Sequence, residues 1–139
     1  MSRLIEQDIK PDNILISESG VVKLSDFGLG AQLEHTCSKR NARCGTPLYI
    51  APVLYKEGAC LKSDVWALGI SIIEMAEGKN PFAGMTPEKI MVQVLNESPP
   101  SLPSSEWSSD LVDFVSRCLV KEVEKRASVA ELLEVVLSI

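Results

Sequence analysis

The chain has 139 residues and a formal net charge of −5, which is enough length for one domain with a buried core. Nucleic acids and acidic membrane surfaces attract basic patches, so this balance argues against both as the main partner. No apolar run reaches the roughly 18 residues of a membrane span. The amino terminus lacks an apolar signal segment and the four cysteines form no CxxC pair, which indicates a reducing cytosolic or nuclear setting. Of the two we expect a cytoplasmic location.

The first predicted element is a β-hairpin near the amino terminus. Residues 14–16 and 21–24 are apolar runs with β-forming residues, and a short polar turn joins them. Neighbouring strands lie about 5 Å apart, so Asn13 before the first strand and Asp26 after the second would face each other at the open end. Two oxygen ligands placed there could share a cation. The alternative is that each is an ordinary turn residue.

The stretch that follows is predicted to be a long surface loop. Residues 28–44 carry two glycines and scattered charges but no sustained periodicity, and long loops of this kind are usually functional or disordered. Residues 45–52, Gly-Thr-Pro-Leu-Tyr-Ile-Ala-Pro, are stiff and apolar by contrast. We expect this second stretch to dock against the core.

A long central helix is predicted from Ser63 to Lys79, because its middle is apolar on nearly every face and such a helix is buried. Ser63 is the expected amino-terminal cap, and Gly78 is placed to end the helix. Gly69 inside the helix costs about 1 kcal/mol relative to alanine. That cost predicts that the backbone of another segment passes close to Gly69.

Three further helices complete the prediction. Thr86 followed by Pro87 is a helix start, and Ser108 or Ser109 opens the next helix, whose apolar stripe faces the core. Ser128 with Glu131 forms a capping box for a last helix through Leu132, Leu133, Val136 and Leu137. The predicted fold class is therefore mainly α with a small β-hairpin, an α+β arrangement.

Three polar residues share the loop before the hairpin, and a fourth follows the hairpin. Asp8, Lys10 and Asn13 lie within six residues of one another, and Asp26 begins an Asp-Phe-Gly triplet. Phosphoryl transfer needs a carboxylate that orients the attacking hydroxyl, a cation near the phosphoryl oxygens and hard oxygen ligands for Mg²⁺. These four side chains supply those groups.

Four motifs in order resemble the carboxy-terminal lobe of a eukaryotic protein kinase: DIKPDNILI, KLSDFG, GTPLYIAPV and SDVWALGISIIEMAEG. Further segments are most similar to the germinal-centre-kinase branch of the sterile-twenty-like serine/threonine kinases: DFGLGAQL, KRNARCGTP, IEMAEGKNPFAGM and DFVSRCLVKEVEKRAS. The resemblance covers essentially the whole chain. It implies one unit, residues 1–139, that is a partial protein kinase domain: a C-lobe fragment without the N-lobe.

The resemblance also assigns roles and cofactors. It implies that Asp8 is the catalytic base, that Lys10 contacts the γ-phosphate of ATP and that Thr46 bridges these two side chains. Asn13 and Asp26 would hold Mg²⁺. The cofactors are then ATP and Mg²⁺, and the acceptor is a hydroxyl of a protein substrate.

Two departures from the family remove its usual phosphorylation switch. Glu6-Gln7 stands where the family has His-Arg before the catalytic aspartate, and Gln7 carries no charge to bind a phosphate. Ala42 stands where the family has the threonine that accepts that phosphate. We therefore expect no activation by phosphorylation at that position.

A third departure concerns the anchor of the activation segment. The family's Ala-Pro-Glu reads Ala51-Pro52-Val53 here, and the arginine that would pair with the missing glutamate is Arg126. Loss of one partner from a buried ion pair is costly. We expect a loosely held segment unless Glu122 or Glu124 pairs with Arg126.

Two functions remain open at this stage. The first is the C-lobe portion of an ATP-dependent serine/threonine kinase, which we expect to hold nucleotide weakly by itself because the 139 residues include neither a Gly-rich loop nor a strand lysine. The alternative is a non-catalytic, kinase-like (pseudokinase) lobe that acts as a protein-binding module. In either case we expect an N-lobe or a docking protein to cover its exposed apolar face.

Overall fold

A long helix lies at the centre of the fold, and the other helices and three short ribbons surround it. The fold is that of a computed structural model, which describes residues 3–5, 8–25, 31–33, 37–38, 46–56 and 59–137. The helices in these residues are α1 (Pro52–Lys56), α2 (Leu61–Glu77), α3 (Pro87–Asn96), α4 (Ser109–Cys118) and α5 (Val129–Leu137). The strands are β1 (Arg3–Ile5), β2 (Ile14–Ile16), β3 (Val22–Leu24), β4 (Ala31–Leu33), β5 (Cys37–Ser38) and β6 (Ala59–Cys60). The mainly helical α+β class is confirmed.

The strands pair as three antiparallel two-stranded ribbons. β2 pairs with β3 as the predicted hairpin, with Ile14 opposite Leu24. The other two ribbons, β1 with β4 and β5 with β6, were not predicted. The prediction of an unbroken loop over 28–44 is therefore wrong at β4 and β5, and the rest of that stretch lies outside the described residues. Strands of two or three residues are too short to show a period of two, and their partners lie far along the chain.

Helix α2 begins two residues before the predicted start. Cys60 is the amino-terminal cap, and the Ser63 hydroxyl accepts a hydrogen bond from the Cys60 backbone N–H at 3.2 Å. Ser63 is thus the third helical residue, and its prediction as the cap is wrong. Gly78 ends the helix in a left-handed conformation, φ +68°, as predicted. Trp66 and Ile70 are fully buried, whereas Met75 is 51% exposed, so one face of α2 is not covered.

The close neighbour of Gly69 is the end of α4, and the nearest atoms are those of side chains, not of the backbone that was predicted. A Cβ atom built on Gly69 would lie 2.8 Å from Cβ of Cys118 and 2.8 Å from Cδ2 of Leu119. Both residues are buried, at 0% and 1% exposure. The missing side chain therefore allows α2 and α4 to pack closely.

We expect Gly69→Ala to lower the free energy of unfolding by about 1–3 kcal/mol, although alanine favours helix, because overpacking a tight crossing outweighs the gain in propensity. Urea denaturation of the two proteins measures the difference. The penalty should shrink in a Leu119→Ala background, since Leu119 supplies two of the three closest atoms. A more stable Gly69→Ala protein would contradict this account of the packing.

The caps of the three later helices are confirmed. The Thr86 hydroxyl accepts from the backbone N–H of Lys89, and the Ser108 hydroxyl accepts from that of Leu111. Ser128 and Glu131 form the reciprocal capping box, with the Ser128 N–H donating to Glu131 Oε2 at 2.7 Å. These bonds satisfy amide groups that a helix start leaves unpaired.

Apolar side chains remain exposed on the β2–β3 hairpin and on α5, and in smaller number on α2 and α3. Leu15, Ile16 and Val22 on the hairpin are 53%, 67% and 60% exposed. Helix α5 runs through the four apolar residues predicted for it, and it buries Leu132, whereas Leu133, Val136 and Leu137 face outward at 57%, 52% and 85% exposure. None of the helices in the described part of the chain combines the length and hydropathy that crossing a bilayer requires.

Candidate active site

A tight turn places Asp8 and Asn13 against each other. Pro11 begins a single 3₁₀ turn, Pro11–Asn13, in which the backbone N–H of Asn13 donates to the Lys10 carbonyl at 3.0 Å. The buried Asn13 side chain then points back at Asp8. Its amide nitrogen donates to the Asp8 backbone carbonyl at 2.9 Å and to Asp8 Oδ2 at 3.1 Å. Asn13 therefore fixes the carboxylate of Asp8.

Lys10 and Thr46 close a ring with the same carboxylate. Lys10 Nζ lies 3.1 Å from Asp8 Oδ2 and donates to Thr46 Oγ1, also at 3.1 Å. The Thr46 hydroxyl in turn donates to Asp8 Oδ1 at 3.0 Å. The threonine comes from a segment more than thirty residues away in the chain, so this contact brings two distant parts of the sequence to one site.

The surroundings of Asp8 keep it ionised. The side chains of Asp8 and Lys10 are only 11% and 22% exposed. Burial alone raises the pKa of Asp8, but hydrogen bonds from Lys10 and Thr46, the charge of Lys10 and the Asn13 amide together outweigh burial and leave the pKa below its ordinary value of 3.8. At neutral pH the group is a carboxylate that can only accept hydrogen bonds.

The lowered pKa predicts how this cluster contributes to stability. A carboxyl whose pKa is lower in the folded state stabilises the fold at pH values above the pKa that it has in the unfolded chain. That contribution falls away as the pH drops through the folded pKa. We therefore expect the stability difference between wild type and Asp8→Asn to be full at pH 7 and to shrink below about pH 4. Denaturant unfolding at pH 7, 5 and 3 measures it, and a pH-independent difference would contradict the pairing.

The open end of the hairpin supplies one candidate metal ligand among the described residues. The backbone N–H and the hydroxyl of Ser25 donate to the Asn13 carbonyl at 2.8 and 3.3 Å, so the two ends of the hairpin do meet. No residue that the structure describes donates to Asn13 Oδ1, which leaves this oxygen for a cation. Asp26, the predicted second ligand, lies outside the described residues. An amide oxygen and a carboxylate are the hard ligands that Mg²⁺ prefers, so the donor chemistry fits that ion.

In the part of the chain that the structure describes, the residue types that commonly bind metals do not cluster elsewhere. Within those residues no three His, Cys, Asp or Glu side chains come together in a way that could hold a metal ion. A magnesium site would thus depend on Asn13 with Asp26.

Sequence reasoning missed a second buried network that holds Thr46 in place. The Tyr49 hydroxyl donates to Glu74 Oε2 at 2.6 Å, and the Asn80 amide nitrogen donates to the same oxygen at 2.7 Å. Burial and the Glu74 carboxylate raise the pKa of Tyr49 well above its usual range. The turn Pro47–Tyr49 directly follows Thr46 in the chain. The hydrogen bond from Tyr49 to Glu74 therefore attaches this turn to α2. Tyr49 was interpreted only as part of an apolar segment, and no local pattern links it to Glu74.

Arg126 finds its partners in backbone carbonyls. It is 1% exposed, and its guanidinium donates to the carbonyls of Val120 and Lys62 at 2.7 Å and of Lys121 at 3.3 Å. It also lies 5.2 Å from the centre of the Trp66 ring. Burial lowers its pKa to about 10.

Neither glutamate proposed for Arg126 takes that place. Glu122 pairs with Lys125 at 2.7 Å on the surface, and Glu124 offers only its carbonyl, to Lys62. Val53 packs in the core at 4% exposure. The expectation considered only carboxylates as partners, whereas the structure satisfies the arginine without one.

The two departures that concern the phosphorylation switch lie where the structure gives no description. Glu6, Gln7 and Ala42 are outside the described residues, so the absence of a phosphorylation switch stays a prediction.

Comparison with known proteins finds a family model and a similar protein among its matches. The sequence model of the protein kinase domain matches residues 2–137. The serine/threonine-protein kinase hippo of Drosophila melanogaster is 44% identical over 136 residues, which are 96% of this chain. The match covers 20% of the length of that relative.

Proposed function

The chain belongs to the protein kinase family, of the serine/threonine type, and from this premise we propose that it is the C-lobe portion of an ATP-dependent kinase that transfers the γ-phosphate to a hydroxyl of a protein. The observation that carries the proposal is the closed ring of Asp8, Lys10 and Thr46 with Asn13 behind it. A surface that serves only for docking has no physical need for this arrangement.

Asp8 is proposed to receive the acceptor hydroxyl. A carboxylate offers about four lone-pair directions, and Thr46, Lys10 and Asn13 occupy three of them. One direction remains for the hydroxyl of a substrate. The three donors hold the carboxylate in one orientation and keep it ionised, so that it can align the hydroxyl and take its proton as the new bond to phosphorus forms.

Lys10 is proposed to face the transferring phosphoryl group. Its ammonium has three hydrogens, of which Thr46 Oγ1 and Asp8 Oδ2 take two. The third is left for a phosphate oxygen, where a positive charge stabilises the negative charge that spreads over the group in the transition state. Magnesium held by Asn13 and Asp26 would supply the remaining charge neutralisation.

A non-catalytic binding module is the second candidate. It is favoured by the exposed apolar residues of the β2–β3 hairpin and of α5. The replacements of family residues also favour it, and they are Glu6, Gln7, Ala42 and Val53. Under this proposal an N-lobe or a docking protein covers these faces. Under both proposals the partners are proteins and the location is the cytoplasm.

The test is transfer of labelled phosphate from ATP to a generic basic protein by the native protein. We expect label on serine and threonine, and loss of all transfer when EDTA removes Mg²⁺. A folded native protein that transfers no phosphate with Mg²⁺ and ATP present would overturn the kinase proposal and leave the binding module.

A further inference from the structure

The indole N–H of Trp66 has no acceptor among the described residues of the protein. Trp66 lies in α2 and is 0% exposed. Of the buried side-chain nitrogen and oxygen atoms in the described part of the chain, its Nε1 is the one without a hydrogen-bond partner. An indole nitrogen can only donate, and a buried donor without an acceptor is costly. An acceptor from outside the chain would supply the missing bond.

Trp66 also forms part of the wall of a cavity between α2, α3 and the proline-containing segments that flank α3. The cavity has a volume of about 170 Å³. Phe82, Val94 and Pro99 are apolar parts of its wall, and Gln93 adds a side-chain amide. An apolar cavity of about 150 Å³ is large enough to hold benzene. The cavity beside Trp66 therefore has room for a molecule of one ring.

The walls of this cavity are held in place by contacts with residues outside it. Arg126 lies over the Trp66 ring, 5.2 Å from its centre. The backbone N–H of Phe82 donates to Asn80 Oδ1 at 2.9 Å, and the Asn80 amide nitrogen donates to Glu74 Oε2 at 2.7 Å. A ligand that enters a preformed cavity loses little free energy to ordering of the protein. The contacts thus favour binding of a small ligand.

The chemistry of the walls defines the class of ligand. Every described residue that lines the cavity is uncharged, so a charged molecule would lose its hydration without gaining a counter-ion. A purely apolar molecule would fill the space but leave the indole N–H unpaired. We propose that the cavity is a binding site for a neutral molecule of one ring that carries a hydrogen-bond acceptor, such as a cyclic ketone, and that this acceptor bonds to Trp66 Nε1.

The site is separate from the proposed catalytic ring. Asp8, Lys10 and Thr46 bond to one another and do not line the cavity. ATP is too large for the cavity and too highly charged for its walls. The ligand is therefore an additional one, and the inference does not rest on the kinase proposal.

NMR of the indole N–H groups tests the site, because the chain has two tryptophans and the second is an internal control. Trp107 Nε1 already donates to Glu77 Oε1 at 2.7 Å. The full chain, labelled with an NMR-active nitrogen isotope, is titrated with cyclohexanone. We expect the Trp66 signal to move downfield and to saturate with a Kd on the order of 1 mM, whereas the Trp107 signal stays in place.

Methylenecyclohexane is the matched probe, because it keeps the ring and replaces the carbonyl oxygen of cyclohexanone by a CH₂ group. It should bind at least about threefold more weakly, since it cannot accept the hydrogen bond. Trp66→Phe keeps an aromatic ring and removes the N–H, so it should abolish the preference between the two probes. The backbone N–H signals of Phe82 and Val94 report binding in both proteins.

Variants that fill the cavity keep the test decisive if Trp66→Phe does not fold. Gln93→Phe adds a ring to the cavity wall and should abolish binding of cyclohexanone. Val92→Phe is its control, because Val92 is the preceding residue of α3, is 52% exposed and does not line the cavity, and it should leave binding unchanged.

Four results would each overturn the proposal. The first is a Trp66 signal that does not move up to the solubility limit of cyclohexanone, and the second is equal binding of the two probes. The third is a joint shift of both indole signals, which indicates nonspecific binding. The fourth is unchanged binding in Gln93→Phe. None of these outcomes depends on phosphotransfer.

Discussion

Asp8→Asn lowers phosphotransfer by the native protein by about 10²–10⁴-fold. The variant keeps the shape of the side chain and can still accept a bond from Thr46, but it loses the charge that pairs with Lys10 at 3.1 Å and the ability to take a proton. The loss should fall on kcat, because the interaction with the hydroxyl proton strengthens in the transition state. Initial rates with a basic protein substrate at saturating ATP measure it.

Asp12→Asn is the matched control for that measurement. Asp12 is an exposed aspartate in the same loop, four positions further on, and it is not part of the hydrogen-bonded ring. Its rate should stay close to wild type. Transfer that survives unchanged in Asp8→Asn would assign the activity to a contaminating kinase or would remove Asp8 from its proposed role.

Arg126→Met should be the most destabilising single substitution that we predict, with a loss of about 3–5 kcal/mol in the free energy of unfolding. Methionine fills most of the space, but it leaves the carbonyls of Val120, Lys62 and Lys121 without the donor they share. It also removes the cation from the face of Trp66. Lys62 lies in the first turn of α2. Loss of the hydrogen bond to its carbonyl should therefore weaken the packing of the amino-terminal end of the central helix.

Arg117→Met is the control for charge and size alone. Arg117 pairs with Asp113 at 2.7 Å, four positions earlier in α4, but both side chains are about half exposed. Such surface pairs contribute about 0.5 kcal/mol. Guanidinium denaturation of both variants makes the comparison, and a change below about 1 kcal/mol for Arg126→Met would show that the buried contacts contribute little.

Local features of the fold could be predicted because their causes are local. Thr86, Ser108 and Ser128 cap helices through bonds to residues three positions away, and those spacings are visible in the sequence. The close approach at Gly69 also left a signal, since glycine inside a helix is costly unless packing requires it. Nothing in the sequence indicated that the neighbouring element would be α4.

Long-range features could not be predicted by the same reasoning. The β1–β4 and β5–β6 ribbons join short segments with no periodicity of their own. The partners of Arg126 are carbonyls, which every residue carries, so the sequence does not distinguish them. The site itself was accessible through motifs: the resemblance suggested that Thr46 lies near Asp8 and Lys10, whereas spacing alone would not have joined residues so far apart.

Binding of Mn²⁺ with ATP tests the central claim most directly, because it probes the site without requiring turnover. Mn²⁺ replaces Mg²⁺ at oxygen sites and is detected by its paramagnetic effect. The account predicts that the native protein binds Mn²⁺ and ATP together, and that Asn13→Ala weakens this by at least about tenfold by removing a metal ligand. A folded native protein that binds no metal nucleotide, or binds it equally well after Asn13→Ala, would contradict the kinase site that we assign to this loop.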